Sequence, residues 1–408
     1  MQIDLGSEAS LRDPAGYFAA AREGGDIQWS DLHRAWLVLS HAEVEAGFRD
    51  GTTLSSDRTG PLRRVAASRS AAFERVVELL SGWMNFRDPP FHTRLREPVR
   101  SVFTPRAISA LEPEIRCIVA GTLDRFDGDV VDLSQAFAKP IPALVIAAML
   151  GVEGEERHRL QRWSDDLSSI VFAITPGEVD EAPILSATEE FSDFFSGLIE
   201  RERAHPSRSL LSAIIAVDDS DLTHLELIGA CTLLLFAGHE TTTTLLINAL
   251  GLLLERPQLA AWLRDHPEAD ATAVDEFLRV VGPARTMVRK VAADHERGGQ
   301  QLRRGQNVFL SIAAANHDPS AFERPAEIDL ERDPNPHFGF GWGLHFCLGA
   351  TLGRLEARIA LRALLERFPA LAAEGPVSPP RASALGFGRR PLLARPGQEA
   401  RSQRDMAS

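Results

Sequence analysis

The chain has 408 residues, 44% hydrophobic and 25% charged, with a formal net charge of −13. That length and mix give room for two ordinary domains or one large one, and exclude bulk disorder. The acidity excludes nucleic acid as the main partner, and three scattered cysteines (Cys117, Cys231 and Cys347) exclude a secreted disulfide framework.

The first ten residues carry acids and no long apolar core, which speaks against a signal peptide. The longest strongly apolar stretch, 141–150, falls short of the ~20 residues that span a bilayer. The reading is a cytoplasmic protein without a membrane partner. No repeat period is visible. Asp13-Pro14 opens a short helix toward Arg22. Residues 27–29 and 35–39 read as two short strands, and Ser40 caps a helix through Arg49. Residues 51–70, rich in Gly, Ser, Thr and Arg, read as a long loop.

From Pro90 to about Leu263 the chain reads as nearly all helix. The longest candidate covers 222–254 and holds Gly229 and Gly238 in an apolar background, the pattern of a helix inside a large protein. Residues 270–281 form another helix, ended by Gly282-Pro283. Strand character follows over 285–310, with Gly-Gly and Arg-Gly turns. Residues 318–343 are Pro-rich and irregular, 347–368 are a second strong helix, and short strands near 385–393 finish the fold. Helices outnumber strands and no linker divides the chain. The expected fold is mainly α with small β sheets, one domain over residues 1–398, and a frayed tail at 399–408.

Three segments carry chemistry. In Phe340-Gly341-Trp342-Gly343-Leu344-His345-Phe346-Cys347-Leu348-Gly349, glycines allow close backbone approach and strained dihedrals. Cys347 follows directly before a helix, where the dipole and open N–H groups favour a thiolate. A lone cysteine is more often a buried, inert one. In Ala237-Gly238-His239-Glu240-Thr241-Thr242 an acid stands beside an alcohol in an apolar helix, a costly placement unless used or satisfied. Gly238 and threonine back-bonding to Ala237 predict a local notch. Glu276 and Arg279, three apart, share a helix face.

The cysteine segment resembles the signature of the cytochrome P450 family: Phe340, Gly343, His345, Cys347 and Gly349 fill every fixed position. Residues 237–241 are similar to that family's proton-delivery motif, and Glu276-x-x-Arg279 to its buried ion-pair motif, with Arg332 the candidate third member. Asp88 to Arg96 looks like its propionate-binding helix. The resemblance covers most of the chain and is closest to the soluble bacterial members.

It implies a cytochrome P450-like domain with haem b between the long central helix and the cysteine loop. Cys347 is then the iron ligand, whose thiolate donation favours O–O cleavage. His92, Arg96, Arg289 and His345 are implied to meet the haem propionates, and Glu240 and Thr241 to deliver protons. The implied activity is insertion of one oxygen atom of O2 into a small, hydrophobic organic substrate. Three scattered cysteines cannot hold a four-thiolate iron–sulfur cluster, so electrons are expected from a separate ferredoxin or flavodoxin with its reductase. Arg94, Arg354 and Arg358 are candidates for that docking face. A peroxide-driven peroxygenase and a non-enzymatic haem protein are the alternatives; Glu240 and Thr241 speak against both. Finally, Arg285, Met287 and Arg289 alternate along one strand side, so Arg285 is a candidate for binding a substrate carboxylate, against a structural role in which it reaches solvent or a nearby acid.

Overall fold

The computed structural model describes the chain except residues 68, 155, 158, 161–162, 164–180, 218–221, 379–381, 389 and 398–408. The tail expected at 399–408 therefore lies outside the described residues. The fold is mainly helical with small sheets, and the chain forms two compact units. One comprises Met1–Ser55, Glu112–Ile141 and Thr241–Ser408; the other comprises Ser56–Leu111 and Pro142–Glu240.

In the first unit, five strands order as Ile27–Ser30, Ala35–Val38, Asn307–Ser311, Thr286–Val291 and Leu54–Ser55. Ala35–Val38 runs parallel to Asn307–Ser311, and the other pairs are antiparallel. Side chains alternate across a strand. Trp36 and Val38 enter one apolar cluster with Val44, Phe48 and Leu310, while Leu37 and Leu39 enter another with Leu5 and Phe18. Both sheet faces are thus covered, which is why this strand reads as a continuous apolar run. The Gly298-Gly299 turn joins His295–Arg297 to Gln300–Leu302 with φ of +54° and +72°, the left-handed pair that a two-residue hairpin needs.

The helix Pro14–Arg22 starts as expected, with Asp13 accepting the Gly16 N–H. The helices Asp270–Val281 and Ala350–Arg367 pack on each other, and Ala350–Arg367 also packs on Glu112–Leu123.

Four expectations need correction. Residues 51–70 are not one loop: they hold the strand Leu54–Ser55 and the helix Thr59–Ala66. Asp57 accepts the Thr59 N–H at 2.8 Å, and Leu62 and Ala66 bury one turn apart, a pattern too sparse to show among Gly, Ser and Arg. The last strong helix begins at Ala350, so Cys347 precedes it by a turn rather than adjoining it. A short strand, Val131–Asp132, and a wide helical turn, Ser134–Ala138, interrupt the helical run after Pro90. Of the strands expected near 385–393, Gly386 and Phe387 form isolated bridges, and the closing strand runs over Leu393–Arg395, pairing with Val131–Asp132 and Ala372–Ala373.

The second unit is built from helices, among them Phe91–Val102, Glu181–Ala204 and Leu210–Val217. Trp83 donates its Nε1–H to Thr232 Oγ1 at 3.0 Å, and a Cβ on Gly229 would sit 2.8 Å from the Gly82 Cα. Gly229 is thus present because two backbones cross there.

The helix His224–Glu255, 32 residues, contributes to both units. It is long and apolar enough to cross a membrane, so the stretch 141–150 is not the longest apolar one, yet 67% of its most apolar window is buried within the fold. An apolar helix enclosed in this way is a core helix.

Candidate functional site

The cysteine loop is shaped by its glycines. Gly341 and Gly343 have φ of +67° and +68°, where a side chain is strained, and a Cβ on Gly343 would lie 2.7 Å from the Phe48 carbonyl oxygen. The Gly341 N–H donates to Phe338 O at 2.8 Å, and the Cys347 N–H donates to Phe340 O at 3.0 Å. These bonds close the loop on itself and hold Cys347 half-buried, ahead of the helix Ala350–Arg367. His345 is half-buried in the short turn Gly343–His345.

Arg289 lies in the strand Thr286–Val291, opposite Val308 and only 8% exposed. Its Nη1 donates to Val288 O at 3.0 Å, and its guanidinium stands 5.7 Å from the Phe48 ring centre. Arg289, His345 and Cys347 thus all belong to the first unit, and Phe48 touches both the strand arginine and the loop.

In the second unit, His92 and Arg96 lie one turn apart on Phe91–Val102. His92 is buried, and burial first, then the Arg96 charge, lowers its pKa to about 4 against a smaller opposing pull from Asp88. The imidazole is therefore neutral at neutral pH. Arg94 on the same helix does not present a free charge. Both its terminal nitrogens donate to Glu226, Nη1 to Oε2 at 3.0 Å.

The helix His224–Glu255 runs without a break through residues 237–242, so no notch in its secondary structure forms at Gly238. A Cβ on Gly238 would meet Ile146 Cδ1 at 2.5 Å, which makes close packing the reason for this glycine. Along this mostly buried helix Ala237 and Thr241, one turn apart, are exposed. Glu240 keeps 19% of its side chain exposed, and His239, fully buried, has Nδ1 3.8 Å from Glu240 Oε1.

The acid–arginine motif is a buried network. Arg279 Nε and Nη2 donate to Glu276 Oε2 and Oε1 at 2.8 and 2.7 Å. Arg332 Nε donates to Glu276 Oε2 at 3.2 Å, so it is the third member expected. Asp329 N–H and Asn335 Nδ2 add bonds at 2.9 and 3.1 Å, and Arg279 Nη1 reaches Asn316 O at 2.9 Å. These last partners have no spacing signal, because they come from an irregular segment about 50 residues further along the chain.

Arg285 is overturned as a substrate residue. It is 5% exposed, and Nη2 donates to Leu5 O, Ser10 Oγ and Ser10 O at 3.1, 3.2 and 3.3 Å. It neither reaches solvent nor meets an acid; backbone oxygens of the N-terminal segment take it, 275 and 280 residues away.

Does this loop suit a haem? Among the described residues no three His, Cys, Asp or Glu side chains group as a metal cage. A single soft sulfur donor suits iron already held in a macrocycle. Gly349 has no side chain, and a Cβ there would lie 3.9 Å from Cys347 Sγ. The donor set fits.

The cytochrome P450 family model matches residues 271–395. The chain is 38% identical to 6-deoxyerythronolide B hydroxylase of Saccharopolyspora erythraea over 83% of both chains. It is 34% identical to the biotin biosynthesis cytochrome P450 of Bacillus subtilis, over 90% of this chain and 91% of that one. Among solved structures, the myxobacterial cytochrome P450 CYP267B1 with myristic acid superposes with a TM-score of 0.85 at 31% identity, covering 96% of this chain and 98% of that one. Likeness at this level, over 83% or more of each of these chains, means that the chain belongs to the cytochrome P450 family and is a haem b-binding monooxygenase.

Proposed function

We propose that Cys347 is the ligand to the haem iron, that His92, Arg96, Arg289 and His345 meet the haem carboxylates, and that Glu240 and Thr241 carry protons. The substrate in this reading is a small, mainly apolar organic molecule that receives one atom of O2. The observation that carries the proposal is the closed, glycine-shaped loop presenting Cys347 ahead of a helix.

The haem supplies the dioxygen-activating redox chemistry, tuned by its sulfur ligand. Cys347 Sγ gives up its proton on ligation, a change favoured near a helix N-terminus. With haem bound, His92 would donate a hydrogen bond to one of its carboxylates, and Arg96 and Arg289 would contribute the positive charge. Glu240 holds a proton at its carboxylate, and the Thr241 hydroxyl passes it into the space that the exposed face of the helix borders.

Electrons come from a separate ferredoxin- or flavodoxin-type protein with its reductase. Supporting this, Cys231 is fully buried with its thiol pKa pushed up to about 12, which leaves no set of four reactive thiols. Arg354 and Arg358, half-exposed on the helix after the loop, and exposed Trp342, Leu344 and Phe346 on the loop form the docking face. The enzyme acts in the cytoplasm as one haem domain over residues 1–398.

Reduced protein with carbon monoxide is expected to show the long-wavelength Soret band of thiolate ligation, and Cys347→His to abolish it. Survival of the band in the variant removes Cys347 as the ligand. Thr241→Ala is expected to keep haem and substrate binding while product per NADPH falls; unchanged coupling removes Thr241 from proton delivery.

A further inference from the structure

Several charged side chains in the second unit meet partners of their own chain. Arg69 faces Glu181 at 3.7 Å, and Arg75 and Arg94 pair with Glu189 and Glu226. Asp57 Oδ2 stands 3.7 Å from Arg87 Nε, and its Oδ1 accepts the Thr59 N–H at 2.8 Å. Asp88 Oδ1 accepts the Ser56 N–H at 2.8 Å. Arg58, between these acids in sequence, has no ion-pair or hydrogen-bond partner for its guanidinium among the described residues. What it does have is an aromatic floor: its carbon Cζ lies 4.9 Å from the Phe86 ring centre, and the Arg58 backbone N–H donates to Phe86 O at 3.1 Å.

This placement is physically incomplete. Burial pulls the Arg58 pKa below the usual arginine value, and no acid opposes that pull. An arginine nevertheless stays charged in proteins. A partly dehydrated cation without a partner is costly, and the cost ends when an anion arrives. Part of the side chain remains accessible, so an arriving group can reach it. Its side-chain N–H groups hold no acceptor among the described residues, and a guanidinium fork takes a carboxylate through two parallel bonds. Arg285 shows the contrast: it is more fully withdrawn from water but held by three oxygens of its own chain.

We propose that Arg58 binds a carboxylate of the molecule that the enzyme oxidises, so that the substrate is an organic acid with an apolar body. The proposal rests on the haem–thiolate reading above and deepens it. Phe86, over which the guanidinium lies, and Trp83, whose ring centre is 5.5 Å from that of Phe86, supply the apolar character near the anchored end.

The test is calorimetric titration of haem-loaded protein with decanoic acid, 4-phenylbutanoic acid and N-acetylphenylalanine, each against its methyl ester. At least one acid is expected to bind wild type about ten- to a hundredfold more tightly than its ester, the scale of a hydrogen-bonded charge. Arg58→Gln is expected to erase that preference and leave ester binding unchanged. Arg58→Lys, which keeps the charge but not the fork, is expected to retain part of it. Arg58 has no polar partner to strand, so both variants are expected to fold. Wild type that prefers none of the acids overturns the proposal, as does Arg58→Gln with its preference intact. Loss of haem from Arg58→Gln also overturns it, by assigning the guanidinium to a haem carboxylate. Failure of the iron-ligand reading shows separately, as absence of the thiolate carbon monoxide band in wild type.

Discussion

Glu356 sits within the helix Ala350–Arg367, 1% exposed, and its Oε2 finds no hydrogen-bond partner. Burial alone raises its pKa well above the ordinary 4.5, so the folded protein holds this carboxyl protonated. Unfolded, the same group ionises near its ordinary value. The folded state therefore binds the extra proton, and stability falls as pH rises from about 4.5 toward the raised folded pKa. Glutamine keeps the shape without the proton. Glu356→Gln is expected to raise the melting temperature more at pH 8 than at pH 5, read by thermal melts of the two proteins. Equal shifts at both pH values show that Glu356 is not a buried neutral acid. The neighbouring arginines behave oppositely: Arg354 meets Asp275 at 2.6 Å, and Arg362 meets Asp270. One helix thus carries both a buried acid without a cation and cations paired with acids.

At the scale of elements, the helix Asp270–Val281 is tied to the irregular 318–343 segment through Glu276. Burial pushes the Glu276 carboxyl upward, but the Arg279 bonds and charge, the Asp329 N–H and Arg332 outweigh it and leave the pKa below the usual range. A depressed carboxyl contributes stability above its unfolded pKa and loses it as pH falls through the folded one. Removing one partner of a buried pair leaves the other charges uncompensated, at a cost of about 3–5 kcal/mol. Glu276→Ala is expected to lose stable haem incorporation, measured as the yield of haem-loaded, folded protein. A normal yield shows the pair to be expendable. The consequence reaches the active site through the chain itself: Asn316 accepts the Phe338 N–H through Oδ1 at 2.9 Å, and Phe338 begins the cysteine loop.

For the whole molecule, the N-terminal segment is part of the first unit rather than an appendage. Ile3, Leu5 and Phe18 bury against Leu37, Leu39 and Ala314, and Arg22 Nη1 donates to Ala314 O at 3.1 Å. Arg285 is the polar centre of that closure. Arg285→Leu strands three oxygens and is expected to destabilise the protein by about 1.5–3 kcal/mol, the scale of hydrogen bonds from a charged donor. Urea unfolding measures this loss. Substrate dissociation constants are expected to stay unchanged, and a weakened constant with unchanged stability reverses the assignment.

The sequence by itself determined what depends on local order. Glycine at 341 and 343, the cysteine at 347, the three-residue spacing of Glu276 and Arg279 and the apolar run behind the long helix are all written along the chain. Each acts through its own backbone conformation or helix face, so a motif suffices to find it. Only the tertiary structure decided which long side chains have partners. Arg285 and Arg58 look alike in sequence, yet one meets oxygens 275 to 280 residues away and the other meets a single aromatic ring. The same holds for Glu356, whose state is set by burial from every side, and for Thr59–Ala66, whose apolar pair is visible only once it is packed. Long flexible side chains take their energy from through-space pairing and desolvation, and neither quantity has a period along the chain.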